Sequence, residues 1–162
     1  MLPEIDFVTE VIDNQPLGAD QRLITLACPE IAQRAQPGQF VTLSCSRFLR
    51  RPLGIARIDQ SRGTISVGGR AKGKGMADIL ALVPGAEVKV LGPLGHGYDL
   101  DGLTGAIVVG GGTGVYPMLF LLDELRKRGL KSGAAFGFRS RAHSVLTDDF
   151  KEVADYCVIA SE

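Results

Sequence analysis

The chain has 162 residues, and its 18 lysines and arginines balance its 18 aspartates and glutamates, so it carries no formal net charge. This balance gives no overall basic character of the kind with which proteins usually hold nucleic acid or an anionic membrane. Apolar residues make up 45% and charged residues 22% of the sequence, which is typical of a folded domain and not of a disordered chain. Glycine is over-represented, with 21 residues, or about 13% against a usual share of about 7%.

The first part of the chain is predicted to form β structure. Short runs of β-branched and alternating residues, separated by turn residues, are typical of a barrel or a sandwich. We predict six strands, at 7–12, 22–27, 40–44, 53–58, 64–67 and 87–91. One helix is predicted at 76–83, where apolar residues recur with helical spacing.

After about residue 105 the pattern alternates strand with helix. Apolar runs predict strands at 106–109, 134–138 and 156–160, and an amphipathic helix is predicted at 117–128, ended by Gly129. Thr147 is a candidate N-cap for a second helix. We therefore predict two domains, 1–100 and 101–162, of which the second has a marginal core.

The sequence favours a cytoplasmic protein without a metal site. The apolar stretch between 106 and 122 is too short and too interrupted to span a bilayer, and the first residues are acidic where a signal peptide would be basic. Cys28, Cys45 and Cys157 are odd in number and lack metal-binding spacing. We predict that these cysteines are buried structural thiols.

The clearest functional motif is a glycine-rich turn, Gly110-Gly111-Gly112-Thr113-Gly114, between a predicted strand and a helix that opens at Pro117. Glycines permit a tight turn and close approach of a ligand, and the unpaired N–H groups at a helix start favour a phosphate. This is the context of a dinucleotide site, although Val115 stands where the third glycine of G-x-G-x-x-G is expected. The alternative is a tight turn that binds nothing.

Two arginines follow the second predicted strand of this part, where an acidic residue would bond the ribose of NAD. Arg139 and Arg141 favour the 2′-phosphate of NADP if they face the ligand, and are ordinary solvated side chains if they do not. The sequence leaves the choice between NAD and NADP open.

Glycines and basic residues also predict an anion site in the β-rich part. Gly68-Gly69-Arg70 ends one strand, and Gly73-Lys74-Gly75 precedes the helix at 76–83, so backbone N–H groups and cations would suit a diphosphate. Arg50-Arg51-Pro52-Leu53-Gly54 is a further candidate, because Pro52 fixes an extended backbone beside an arginine. The alternative is a pair of loops with solvated charges.

Five motifs in this order resemble one family. They are RRPLGI at 50–55, GKGMADIL at 73–80, VKVLGPLGHGYDL at 88–100, VVGGGTGVYPMLFLLDEL at 108–125 and GFRSRAHSVLTDDF at 137–150. From about residue 5 onward the chain is similar to the electron transfer subunits of dihydroorotate dehydrogenase, in the ferredoxin–NADP reductase superfamily. The resemblance implies a six-stranded antiparallel flavin-binding barrel in 1–100, followed by a parallel-sheet α/β nicotinamide-nucleotide domain in 101–162 that is incomplete at its C-terminus.

The resemblance also implies which residues bind cofactors. For FAD they are Arg51, Pro52, Leu53 and Gly54, which match an R-P-x-S motif, then Gly68, Gly69 and Arg70 on the next contact strand, and Gly75 and Met76, which match a Gly-Thr pair. For the nicotinamide nucleotide they are Gly110, Gly111, Gly112, Thr113, Gly114 and Pro117. Gly54 and Met76 each lack a hydroxyl of the family pattern, so we expect FAD binding to be retained but weaker, by about 0.5–1.5 kcal/mol per lost hydrogen bond.

The function implied by the resemblance is electron transfer in pyrimidine biosynthesis, with hydride passing between NAD(H) and N5 of FAD. In the family the electrons come from dihydroorotate through the FMN of a catalytic subunit and a [2Fe–2S] cluster, whose cysteine ligands are absent from this chain. No catalytic side chain is predicted, because the redox chemistry belongs to the cofactor. The expected partner is a catalytic dihydroorotate dehydrogenase-type subunit or another redox protein, with a homo-oligomer as a further possibility. Two alternatives are a non-catalytic FAD-binding or assembly module, as a shortened relative or fragment without a competent nicotinamide site, and a nucleotide binder without flavin.

Overall fold

The computed structural model describes residues 5–18 and 20–162, which form a closed barrel followed by a small parallel sheet with helices. The six barrel strands are β1 (Ile5–Gly18), β2 (Gln21–Ala27), β3 (Phe40–Leu43), β4 (Arg51–Asp59), β5 (Thr64–Arg70) and β6 (Glu87–Leu94). They close in the order β1-β2-β5-β4-β3-β6, and all pairs are antiparallel. The predicted six-stranded antiparallel barrel is confirmed.

Alternation of inward and outward side chains explains why these segments form strands. In β3, Val41 and Leu43 are fully buried, whereas Thr42 between them is half-buried. Ile55 of β4 and Ile65 of β5 are likewise fully buried and share the barrel core. The period of two in the sequence therefore fills the barrel from every strand.

Two short helices lie within the barrel segment. Helix α1 (Pro29–Arg34) was not predicted, because six residues are too few to show a helical period. α2 (Lys74–Leu80) ends earlier than the predicted 76–83. The prediction was wrong at this end because Val83 is 64% exposed, so its apolar side chain does not continue the buried face of the helix.

The second region, called the α/β region below, contains three parallel strands. They are β7 (Gly105–Gly111), β8 (Lys131–Phe138) and β9 (Tyr156–Ser161), in that order across the sheet. Helix α3 (Tyr116–Lys127) connects β7 to β8, and α4 (Thr147–Val153) connects β8 to β9. The predicted parallel α/β arrangement is confirmed, although Thr147 is the first helical residue and not the N-cap, a position that Leu146 takes.

Both helices lie on the same face of this sheet. The chain moves from β7 to β8 and then to β9 in the same direction across the sheet, and right-handed crossovers in one direction place their helices on one side. The rings of Phe136 in β8 and Phe150 in α4 pack on this side, with their centroids 4.2 Å apart. On the opposite face Ile107 and Val109 of β7 are 80% and 70% exposed. The exposed face is therefore strongly apolar, whereas parallel sheets are usually covered on both sides.

Helix α3 packs between the barrel and the sheet. Phe120 is buried in the barrel core, while Leu119 is buried in the core beneath the sheet, which also receives Leu23 and Ala56 from the barrel. The helix thus buries two faces, where the sequence predicted one. A salt bridge also joins the two regions: Nη2 of Arg57 in β4 donates to Oδ1 of Asp149 in α4 at 2.5 Å.

The cysteines differ in burial. Cys28 is fully buried, but Cys45 and Cys157 are only half-buried, so the prediction of buried thiols was wrong for these two. Cys45 follows β3 in an open loop, and Cys157 lies on β9 at the edge of the sheet. None of the helices in the described residues is long and apolar enough to cross a membrane.

Candidate functional site between the barrel and the glycine-rich turn

A cleft of about 480 Å³ separates the barrel from the glycine-rich turn, a volume within the range of small-molecule sites. Strands β4 and β5 form one wall, and the turn and the first residues of α3 form the other. The lining residues are Gln21, Pro52, Leu53, Gly54, Gly68, Gly69, Arg70, Lys72, Met76, Gly112, Thr113, Tyr116, Pro117, Phe138, Arg139 and His143. Most of the residues predicted to bind cofactors lie here; Arg51, Gly75, Gly110, Gly111 and Gly114 do not line the cleft itself.

Arg51 and Gly75, which the sequence assigned to the same diphosphate, are in contact. A Cβ atom on Gly75 would lie 2.6 Å from Nε of Arg51, so the guanidinium rests directly on the start of α2. Nη1 of Arg51 also donates to the carbonyl oxygen of Leu49 at 2.9 Å. The fold therefore places a cation against the first turn of α2.

Met76 reaches from α2 to the cleft wall. A Cβ atom on Gly69 would lie only 2.7 Å from Cε of Met76, so the thioether covers the backbone of β5 at this point. The residue that replaces a hydroxyl in the family pattern thus fills space beside Gly69.

The opposite wall is seated on two glycines of the barrel. A Cβ atom on Gly68 would lie 2.0 Å from Cδ1 of Tyr116, and one on Gly54 would lie 2.9 Å from Cβ of Pro117. Any side chain at these two positions would displace the start of α3. Gly54 therefore has a packing role that the sequence did not reveal.

Two hydrogen bonds, one buried and one partly buried, join the barrel to the α/β region through residues that line the cleft. The Tyr116 hydroxyl donates to Oε1 of Gln21 at 3.2 Å, and Nε2 of Gln21 donates to the carbonyl oxygen of His143 at 2.9 Å. Burial raises the pKa of Tyr116 above its ordinary range, so the hydroxyl stays protonated as a donor. Sequence reasoning missed both residues: Gln21 lies outside the five motifs, and Tyr116, although inside the motif at 108–125, was not singled out because nothing local shows that it contacts the barrel.

The cleft is lined by basic side chains. Arg70, Lys72 and Arg139 all line it, and Nε of Arg70 lies 2.6 Å from Oδ2 of Asp20. The hydrogen bond from Arg70 holds the pKa of Asp20 below its ordinary value. Of the two arginines considered for the 2′-phosphate of NADP, Arg139 lines the cleft and Arg141 does not.

The glycine-rich turn exposes its backbone. Strand β7 ends at Gly111, and a short 3₁₀ turn, Gly112–Val115, leads into α3. Gly112 has φ +54°, and a Cβ atom on Gly112 or Gly114 would meet no atom within 4 Å. This open backbone beside a basic cleft fits an anionic nucleotide.

The residues at the site fit two of the three cofactors that the motifs and the resemblance imply. A wall of glycine backbone, a guanidinium over Gly75 and further cations fit the phosphates of FAD and of a nicotinamide nucleotide. An iron–sulfur cluster does not fit, because the described residues contain no group of three potential ligands and the three cysteines lie on separate elements.

A six-stranded barrel joined through such a cleft to a parallel α/β region defines the class of ferredoxin–NADP reductase-like proteins. The structure agrees with that of an NADH-dependent reduced ferredoxin–NADP oxidoreductase, with a TM-score of 0.86, 23% identity and coverage of 94% of this chain and 56% of the other. For phthalate dioxygenase reductase the TM-score is 0.78, the identity 20% and the coverage 97% and 52%. These two likenesses show the fold.

The sequence comparison identifies the family. The electron transfer subunit of dihydroorotate dehydrogenase B from Bacillus caldolyticus is 38% identical over 146 residues, which are 82% of this chain and 57% of the relative. The subunit of the same name from Fusobacterium nucleatum is 36% identical over 152 residues, covering 90% of this chain and 59% of the relative. The chain belongs to this family and spans somewhat more than half the length of these relatives. No protein-family model matches it.

Proposed function

We propose that the chain is a flavin-dependent oxidoreductase module that binds FAD on the barrel and NAD(H) on the glycine-rich turn, and transfers electrons between them. The observation that carries this proposal is the cleft, which residues of both motif sets line. When bound there, FAD supplies the redox chemistry by exchanging a hydride with the nicotinamide. The protein contributes binding and orientation.

The residues on each wall have separate roles in this proposal. Arg51, with Gly75 and Met76 beside it, holds the diphosphate of FAD, and the backbone of β4 and β5 from Pro52 to Gly54 and Gly68 to Arg70 supports the flavin. The turn Gly110–Gly114, with Pro117, holds the nicotinamide nucleotide. Arg139, which lines the cleft, is the residue we propose to contact a 2′-phosphate, so its effect on the choice between NADH and NADPH is testable.

The finer role follows from the relatives. We propose that a catalytic dihydroorotate dehydrogenase-type subunit supplies or receives the electrons, in the pyrimidine pathway of the cytoplasm. Support comes from the names of the relatives alone. We also propose that residues 1–100 form the FAD-binding domain and 101–162 the nicotinamide domain, since the chain leaves the barrel after β6.

A second candidate is a non-catalytic FAD-binding or assembly module. The exposed apolar face of the α/β sheet favours it, because parallel sheets are usually covered on both faces and an exposed apolar face is a surface on which a partner can pack. The two candidates make different predictions for flavin reduction.

The test is the visible absorption spectrum of the chain reconstituted with FAD, followed by anaerobic addition of NADH and then of NADPH. Bound flavin that bleaches supports the oxidoreductase, and the faster reductant decides the role of Arg139, with Arg139→Ala as the variant and Arg141→Ala as its matched control. Bound flavin that stays oxidised supports the assembly module. A chain that binds no flavin refutes the oxidoreductase and leaves an assembly module, which needs no cofactor.

A further inference from the structure

The start of α3 is docked on the barrel by two consecutive side chains. The Tyr116 ring fills the space above Gly68, and the Pro117 ring fills the space above Gly54. These glycines face each other on paired strands, next to the Ile55–Val67 pair of β4 and β5. The contact is a fitted one, because a single methyl group at Gly68 would lie 2.0 Å from the tyrosine ring.

The Tyr116 hydroxyl makes this docking polar and directional. Tyr116 is 1% exposed and Gln21 is 4% exposed, so their hydrogen bond is made away from water. The same Gln21 side chain also holds the carbonyl oxygen of His143, in the connection between β8 and α4. Gln21 of the barrel thus holds two segments of the α/β region that line the cleft: the start of α3 and the connection between β8 and α4.

The glycine-rich turn is the segment that this docking controls. The 3₁₀ turn Gly112–Val115 leads directly into Tyr116, so the docked tyrosine fixes where the C-terminal end of the turn lies relative to β4 and β5. Hydride transfer depends steeply on distance, and a misplacement of about 1 Å can cost about 100-fold in rate.

We propose that Tyr116 is a positioning residue, which, through its ring on Gly68 and its hydrogen bond to Gln21, sets the distance between the nicotinamide site and the flavin site. This inference rests on the proposed oxidoreductase function. Tyr116 has no contact with the reacting atoms in this proposal. The role of Gly68 is to leave room for the tyrosine ring.

The test compares Tyr116→Phe with Tyr156→Phe, which removes a hydroxyl from a tyrosine that is 79% exposed on β9. FAD affinity, the limiting rate of flavin reduction by NADH, and the long-wavelength charge-transfer absorbance of the flavin–nicotinamide pair are measured for each. For Tyr116→Phe we expect the limiting rate to fall at least about tenfold and the absorbance band to weaken, with FAD affinity changed less than about twofold. Tyr156→Phe is expected to match the wild type.

A second pair of variants separates positioning from general stability. Gln21→Met keeps the Tyr116 ring and removes the acceptor of its hydroxyl, so we again expect slower flavin reduction and a weaker absorbance band. This variant tests the positioning role if Tyr116→Phe does not fold. Gly68→Ala should slow reduction by itself, but should add nothing to Tyr116→Ala, because the methyl group then has no ring to displace.

The outcomes distinguish this inference from the function on which it rests. If the wild type binds FAD and is reduced by NADH, but Tyr116→Phe and Gln21→Met keep the wild-type rate and absorbance band, the positioning role is refuted and the function stands. If the wild-type flavin is not reduced at all, the proposed function and the positioning role are both refuted.

Discussion

Replacing Gly54 by serine tests whether this glycine is a missing flavin ligand or a packing requirement. The substitution restores the hydroxyl of the R-P-x-S motif, which by itself would add a hydrogen bond worth about 0.5–1.5 kcal/mol to FAD binding. The structure predicts a larger opposing effect. The new Cβ atom would lie 2.9 Å from Cβ and 3.0 Å from Cγ of Pro117, and a proline ring cannot rotate away.

Overpacking of this kind usually costs about 1–3 kcal/mol. We therefore expect Gly54→Ser to lower the free energy of unfolding by this amount, and the melting temperature by about 2–4 °C for each kcal/mol, without tighter FAD binding. Gly54→Ala is the matched control, because it adds the same Cβ atom without the hydroxyl and should destabilise the protein equally. Thermal unfolding and FAD titration measure the two effects. A serine variant that binds FAD more tightly than the wild type and melts at the same temperature would refute the reasoning.

Three further predictions concern the turn, the sheet and the buried thiol. Gly112→Val places a branched side chain at φ +54°, a conformation that β-branched residues rarely adopt. It should raise the dissociation constant for NADH at least about tenfold while FAD remains bound. The control Gly133→Ala, on the exposed face of the sheet, should change neither the NADH nor the FAD dissociation constant. Val108→Thr should lower the free energy of unfolding, measured in urea, by about 1–3 kcal/mol, but Val109→Thr by less than about 0.5 kcal/mol. The reason is that Val108 is 3% exposed and Val109 70% exposed. Equal effects would show that the two faces of the sheet are assigned wrongly. Burial raises the pKa of the Cys28 thiol from 9.0 to about 11, so as the pH rises the unfolded chain loses this proton before the folded chain does. The stability that the protonated thiol contributes to the folded state is therefore complete below pH 9 and is lost between pH 9 and 11. The difference in unfolding free energy between wild type and Cys28→Ala should therefore fall by about 2–3 kcal/mol over that interval, and a constant difference would contradict it.

The barrel could be predicted because its signal is local. Each strand has one face toward the core, so residues such as Val41 and Leu43 alternate with more exposed ones, and this period is visible in the sequence. Short helix α1 lacks enough residues to show a period. The end of α2 was misjudged because Val83 has the right spacing but points into solvent. Spacing alone does not report which apolar residues find a partner.

The site was predicted in part for a similar reason. The motifs assigned the glycines of β4, β5 and the turn to cofactor binding, and most of these glycines line one cleft. A glycine in the sequence indicates that something approaches the backbone closely, but not what approaches. At Gly68 and Gly54 the approaching groups are Tyr116 and Pro117 of the same chain, and this contact between distant segments has no local signature.

The position of α3 has a consequence for how the protein unfolds. Phe120 belongs to the barrel core and Leu119, its neighbour, to the core beneath the sheet, so the two cores cannot separate without exposing one or both side chains. We expect the barrel and the sheet to melt in a single cooperative transition and the slowest-exchanging amides of both regions to share one protection factor. The functional division of the chain would then not be a folding division: a fragment beginning at residue 101 would carry Phe120 into water and would lack Leu23 and Ala56, which complete its core.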